Sequence, residues 1–294
     1  MTAHLSDAEV REAVRERYAA AASLSLTGAA TSCCGPASDS AAGSGGGCCG
    51  GDQPSADPMT TGHYGEDVPF DAAVAASLGC GNPTALAELS PGDDVLDLGS
   101  GGGLDVLLSA RRIAPGGTAY GLDMTPEMLE LAERHRAEAG IENARFMHGS
   151  IEDVPLPDGS VDVVISNCVI NLSPDKDAVL RESFRVLRPA GRFAVSDIVL
   201  TREIDDSLRG VVGLWTGCIS GALLDSDYVS RLEAAGFVDA SVEITRSYDR
   251  ADLEAMAGHI DPVHLPEGMS TAEAVDALED SFASAFIRAR KPAA

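Results

Sequence analysis

Two groups of residues in this sequence have the types and spacing to do chemistry. The first is the stretch Asp93 to Asp105, DDVLDLGSGGGLD, where an acid precedes three alternating glycines as Asp97-x-Gly99-x-Gly101-x-Gly103. Glycines in such a turn permit positive φ and let a ligand approach bare backbone. A dinucleotide fingerprint needs G-x-G-x-x-G. Counting from Gly99 and Gly101 puts Leu104 at the third glycine, and counting from Gly101 and Gly103 puts Val106 there. A carboxylate ahead of the turn also repels a pyrophosphate and tolerates a positively charged ligand. A second acid, Asp123, lies twenty positions beyond Gly103 at the end of TAYGLD, placed to accept both hydroxyls of a ribose. It argues against a glycine-rich turn that merely connects strand to helix. The second group is the cysteines: vicinal pairs Cys33-Cys34 and Cys48-Cys49, and single residues Cys80, Cys168 and Cys218.

The elements that position these residues follow from pattern. Val95, Leu96 and Leu98 read as a buried strand, followed by a helix from about 104 to 113, a strand over 118–122 and a helix opening at Thr125-Pro126-Glu127 with N-cap, proline and acid in order. Strands are expected at 144–148 and 161–167, a helix at 175–187, a turn at Arg188-Pro189-Ala190-Gly191 and a strand at 192–198. Residues 203 to 236 read as helical with a glycine-rich break around Gly213 to Gly221, and late strands at 238–248 and 283–290 follow. Near the start, Ser6 and Glu9 form a capping box ahead of Val10, Val14 and Tyr18 at helical spacing. About 27–62 is a Gly, Ser and Ala rich loop holding both cysteine pairs, and a short helix is expected from Phe70 to Leu78. Alternating strands and helices with near-continuous apolar strands mean a parallel sheet covered on both faces.

The acid-and-glycine turn resembles motif I of the class I S-adenosylmethionine methyltransferases, whose ligand carries an ammonium and a sulfonium. The resemblance implies an α/β, Rossmann-like fold with a seven-stranded, mostly parallel sheet, helices on both faces and an antiparallel last strand. It implies that Asp97, Gly99, Gly101 and Gly103, Asp123 with Met124, Ile151 with Glu152, and Asn167 bind S-adenosylmethionine. Ligands in open α/β sheets bind beyond the carboxyl ends of the strands. Gly99, Asp123, Ile151-Glu152 and Asn167-Cys168 all fall at or just past such ends, with the adenine expected near Ile151 and the methionine half near Gly99 and Asn167.

Cys168 ends the strand whose tip should face the methyl group, Cys80 lies in the turn before the core strand, and Cys218 lies in the break of the substrate-covering region. Taken singly, each is also an ordinary small buried hydrophobe. Soft thiolates select soft acceptors, and three around one point can hold a trivalent metalloid with its lone pair free. SLGCGNP (77–83), DLGSGGGLD (97–105), SNCVINL (166–172) and WTGCISGAL (215–223) resemble signature stretches of the arsenite S-adenosylmethionine methyltransferases, over about His63 to Tyr248. The resemblance implies that Cys80, Cys168 and Cys218 bind As(III), and that a fourth thiol comes from the N-terminal region. Both doublets fit that role; Cys48-Cys49 is nearer the core, and neither has the C-x-x-C spacing of a zinc site. Such a reaction needs no general base, because the arsenic lone pair has no proton to shed. It does need an external thiol reductant, thioredoxin or glutathione, since methylation oxidises arsenic. His63 and Tyr64 are read as lid residues over the cofactor, and His135 and His148 as helix-surface and strand-end residues without special role.

The bulk numbers narrow the partners. With 21 basic and 46 acidic residues the net charge is −25, which disfavours nucleic acid and anionic membranes and leaves a small-molecule substrate. A 45% hydrophobic content supports a proper core. Residues 1–22 lack the apolar run of a signal peptide and no run of eighteen apolar residues exists, so a cytoplasmic location is expected, with thiols rather than structural disulfides. Three regions are expected: a helix and Cys-rich arm over 1–66, a cofactor-binding core over 67–200, and over 201–294 a substrate-covering insertion with the last two strands. The additional C-terminal domain of the family's larger members is expected to be missing. Two other readings remain open here: a C- or O-methyltransferase of a small organic molecule, and a thiol-based arsenic- or metal-binding protein on the same scaffold.

Overall fold

The computed structural model of the chain describes residues 7–27, 81–205, 208, 221–257, 265 and 268–294. The elements are α1 (Asp7–Thr27), α2 (Pro83–Leu86), β1 (Val95–Leu98), α3 (Leu104–Arg112), β2 (Ala119–Asp123), α4 (Pro126–Ala139), β3 (Ala144–His148) and β4 (Val161–Asn167). A single 3₁₀ turn over Ile170–Leu172 precedes α5 (Lys176–Val186), β5 (Leu187–Leu200), β6 (Leu223–Leu224), α6 (Asp225–Ala234), β7 (Val238–Ser247), α7 (Arg250–Ala257), α8 (Thr271–Leu278) and β8 (Phe282–Arg290). The strands form one sheet in the order β3-β2-β1-β4-β5-β8-β7, with β6 paired to β5. All neighbours run parallel except β8, which is antiparallel to both β5 and β7.

Alternation along each strand sends apolar side chains to both faces. Leu96, Leu98, Val164 and Val195 pack with Val179 and Leu180 of α5 and with Leu232 of α6. Val95, Val163 and Ile165 pack on the opposite face with Leu104, Leu107 and Ala110 of α3. A third cluster gathers Cys168, Ile198 and Leu200 with Leu253 of α7, Val275 of α8 and Phe282 of β8. Helix α1 lies against α4, and Arg134 donates to the Leu26 carbonyl at 3.5 Å.

Two boundaries differ from expectation. Arg188-Pro189-Ala190-Gly191 does not precede the strand but lies within β5, where the register steps from Val161 opposite Leu187 to Val163 opposite Arg192. The chain bulges there with Ala190 at φ 65°, and the Ala190 N–H donates to the Lys291 carbonyl at 3.1 Å. The helical reading of 203–236 is interrupted by β6. Strand β4 ends opposite Ser196, so the last residues of β5 present an open edge, and Leu223 and Leu224 cover it opposite Val199 and Leu200. The Ser6 cap, the loop of about 27–62 and the helix expected at Phe70–Leu78 lie outside the described residues. No helix among the described residues is long and apolar enough to cross a membrane.

Strand β5 carries a fully buried acid. Burial raises the Asp197 pKa from 3.8 to about 7, offset only in part by the Ile198 N–H and the Lys176 charge. The folded state thus holds a proton that the unfolded chain releases near pH 4. Stability is largest below that point and falls by about 4 kcal/mol as the pH rises through 7. Urea unfolding from pH 4 to 8 is expected to show this decline and to show a flatter one in Asp197→Asn. Equal slopes would contradict the assignment.

Candidate functional site

The turn after β1 is shaped by three glycines that do different things. Gly99 has φ 74°, and a Cβ there would lie 2.5 Å from a Val169 methyl. Gly101 has φ 49°, and a Cβ there would meet only the Met128 sulfur, at 4.0 Å. Gly103 caps α3 at φ 87°, and its missing Cβ makes room for Phe146 at 2.8 Å and Ala132 at 3.1 Å. Gly103 therefore packs the turn against β3 and α4 and does not line the cleft. His135 is not a surface residue: it is buried on α4, and its Nδ1 lies 2.7 Å from the Gly102 carbonyl, tying helix to turn. His148 is exposed, with Nε2 3.1 Å from the Met124 carbonyl.

Asp123 ends β2 and is fixed before any ligand arrives. Its Oδ2 accepts the Gly101 N–H at 2.9 Å and its Oδ1 the Thr125 N–H at 2.8 Å. Each oxygen keeps a lone pair for a further hydroxyl donor. Burial raises its pKa, with those two N–H groups pulling the other way. Thr125 is the N-cap of α4 as expected, but its side chain makes no capping bond.

Asp97 lies beneath the turn, 3% exposed, with Oδ1 lacking any hydrogen-bond partner among the described residues. Burial, and then the neighbouring Asp105 and Asp123 carboxylates, push its pKa well up. A buried, unpartnered carboxyl oxygen beside two other acids calls for a cation. The ammonium of S-adenosylmethionine is such a group. Asn167, at the end of β4, donates to Asp105 Oδ2 at 3.2 Å and exchanges hydrogen bonds with the Gly81 backbone at 2.8 and 3.2 Å. It thereby fastens the residue after Cys80 to the strand end that leads into Cys168.

An open cleft runs over the turn, bounded by apolar side chains with a few polar groups among them. Gly99, Gly101, Asp123, Met124, Ile151 and Glu152 line it as the sequence implied, while Asp97 and Asn167 stand just outside its lining. Two walls were missed by sequence reasoning. One is Val169, Leu172, Ser173 and Pro174 after β4; the other is Arg11, Val14 and Tyr18 of α1. The signal for the second was the Val14 and Tyr18 stripe, which reads equally as packing.

Arg11 reaches across the cleft, its Nε 3.4 Å from Glu152 Oε1. Glu152 also accepts from Ser173 Oγ at 2.6 Å and from Ser150 Oγ. Burial pushes the Glu152 pKa up, but the two serine hydrogen bonds and the Arg11 charge outweigh it and leave the carboxyl below its usual range. Arg11 is largely exposed, so the ion pair is weak. Arg11→Ala is expected to speed dissociation of S-adenosylhomocysteine by about 2–5-fold. Stopped-flow displacement checks this; an unchanged rate would mean that α1 does not hold the cleft closed.

Cys168 follows β4 in the left-handed region, at φ 59°, and is 2% exposed. It is disulfide-bonded, whereas free thiols were expected; a sulfur in this state binds no soft acceptor until reduced. Cys48, Cys49, Cys80 and Cys218 lie outside the described residues, as do Cys33, Cys34, His63 and Tyr64. Among the described residues no group of three His, Cys, Asp or Glu side chains could hold a metal ion.

Residues 89–236 match the family model described as a methyltransferase domain. Together with the strand order and the acid-bounded glycine turn, this makes the chain a class I, Rossmann-like methyltransferase. It is 39% identical to the arsenite methyltransferase of Halobacterium salinarum over 297 aligned positions, covering 100% of this chain and 69% of that protein. It is 45% identical over 168 positions to the arsenite methyltransferase of Aquipseudomonas alcaligenes, covering 55% of this chain and 48% of that one. The crystal structure of an arsenic(III) S-adenosylmethionine methyltransferase from Chlamydomonas reinhardtii superposes with a TM-score of 0.57 at 35% identity, over 73% of this chain and 68% of that one. The chain belongs to the arsenite methyltransferase family. It spans about two thirds of the Halobacterium protein's length, and its match to the Aquipseudomonas protein about half of that one.

Proposed function

We propose that this protein transfers methyl groups from S-adenosylmethionine to trivalent arsenic held on cysteine sulfur. The observation that carries the reading is Cys168, whose neighbour Val169 lines the cofactor cleft in a chain of this family. When bound, S-adenosylmethionine supplies a methyl group on a positively charged sulfur. Asp123 is fitted to take the ribose hydroxyls, Asp97 to face the ammonium, and Met124 and Ile151 to flank the base. Cys168 with Cys80 and Cys218 supplies the soft sulfur ligands, and the vicinal cysteines of the N-terminal region, Cys48-Cys49 being nearer the core, bring the arsenic in. An acceptor with a free lone pair has no proton to lose, so these residues have to align and need not act as a base.

Each transfer raises arsenic by two oxidation levels. Two cysteine thiolates return those electrons and close to a disulfide, which an external dithiol or glutathione reopens. The disulfide at Cys168 fits the oxidised stage of that cycle. The cycle suits a reducing, cytoplasmic setting, and the substrate is small. Incubation with S-adenosylmethionine, arsenite and a thiol, followed by chromatographic speciation of arsenic, is expected to yield methylated arsenicals in proportion to enzyme. Unmethylated arsenite alone would sink the reading.

The charge balance around Asp97 adds a test that needs no turnover. Burial and the neighbouring Asp105 and Asp123 carboxylates favour the protonated form of Asp97, and an incoming ammonium favours the charged form. Binding of S-adenosylhomocysteine, which keeps the ammonium, is expected to release a proton and to weaken as pH falls, by up to about tenfold per unit. Calorimetry in buffers of different ionisation enthalpy measures both. Affinity independent of pH with no proton released would contradict the role given to Asp97.

A further inference from the structure

The turn that follows β4 has two sides. Val169, Leu172 and Ser173 line the cofactor cleft, and Leu172 also packs on the cluster holding Cys168, Ile198 and Leu200. The turn is therefore a wall shared by cofactor and Cys168, and whatever fixes it fixes their spacing. Asn171, 3% exposed, stands at its centre. Its Nδ2 forks to Asp197 Oδ1 at 2.8 Å and to the Ile198 carbonyl at 2.7 Å. The Cys168 N–H adds a bond to the Ser196 carbonyl at 2.8 Å, so three consecutive residues of β5 grip the turn. Gly221 packs closely on the turn's backbone, since a Cβ there would lie 2.0 Å from the Asn171 backbone carbonyl oxygen. Three residues before Gly221 in the sequence is Cys218.

This polar joint is kept at a cost. Asn171 Oδ1 is buried without a hydrogen-bond partner among the described residues, and the fully buried Asp197 carboxyl is set against the buried Tyr228 hydroxyl, polar burial that an apolar joint of the same shape would avoid. We propose that Asn171 is a positioning residue for methyl transfer: its side-chain amide clamps the wall between cofactor and Cys168 onto Asp197 and Ile198. The proposal rests on Cys168 holding the acceptor. Asn171 touches neither reactant; it sets the register between two half-sites that survive without it.

The test compares wild type with Asn171→Ala. Turnover in arsenite methylation is expected to fall about 10²-fold, the usual consequence of misplacing reactants by about 1 Å. The KM for S-adenosylmethionine, the calorimetric affinity for S-adenosylhomocysteine and arsenite binding by equilibrium dialysis should each stay within about threefold, because each half-site keeps its own ligands. Unchanged turnover overturns the proposal, as does a loss of S-adenosylhomocysteine affinity parallel to that of turnover. If Asn171→Ala does not fold, Asn171→Ser is scored in its place, and failure of both to fold makes Asn171 a folding residue and also overturns it. A wild-type chain that does not methylate arsenite removes the acceptor reading itself, whereas an active wild type with fully active variants removes only the role of Asn171.

Discussion

Cys168→Ser is expected to lower arsenite methylation by at least about 10³-fold, since serine offers a hard, protonated oxygen where a soft thiolate must both bind and align the acceptor. Affinity for S-adenosylhomocysteine should stay within about threefold, because Cys168 is buried in the cluster behind the wall rather than in the cleft lining. The measurement is arsenic speciation after timed reaction in excess thiol, paired with calorimetry on the same preparations. Excess thiol removes the disulfide difference between the two proteins. A serine variant that still methylates arsenite would leave Cys168 as an ordinary core residue and return the organic-acceptor reading to first place.

Asp123→Ala attacks the other half. On the proposed reading it removes two ligand hydroxyl contacts, and it frees the Gly101 and Thr125 N–H groups that the carboxylate now holds. Hydrogen bonds to a charged group contribute about 1.5–3 kcal/mol each. S-adenosylhomocysteine should therefore bind at least about 10²-fold more weakly. Asp123→Asn, which keeps one acceptor oxygen but must turn an NH₂ toward a backbone N–H, is expected between the two. Calorimetry decides; an alanine variant that binds as tightly as wild type would mean the ribose lies elsewhere.

The parts legible in the sequence are those set by local rules. Strand β1 reads from Val95, Leu96 and Leu98, the glycine turn from its spacing, and α4 from Thr125-Pro126-Glu127, because short-range sterics and capping decide them. The family was legible from four short stretches, three of them around single cysteines. What the sequence hid depends on long-range pairing. The bulge at Ala190 is stabilised by a carbonyl about one hundred residues away, at Lys291. Strand β6 exists only because β5 outruns β4. His135 reads as exposed on α4 until the helix is docked on the Gly102 carbonyl. The α1 wall of the cleft was invisible because an apolar stripe says that a helix packs, and not on what. Asn171 lay in plain view within SNCVINL, but its partners Asp197 and Ile198 are set by the β4 to β5 connection, which spacing does not reveal.

The proposed mechanism requires arsenic to be held by sulfur at Cys168 beside the cofactor cleft. Arsenic K-edge X-ray absorption on the thiol-reduced protein loaded with one equivalent of arsenite tests it most directly. A first shell made of sulfur alone is expected, with one sulfur lost and replaced by oxygen in Cys168→Ser. A shell containing oxygen in the wild type, or one unchanged by the substitution, would contradict it.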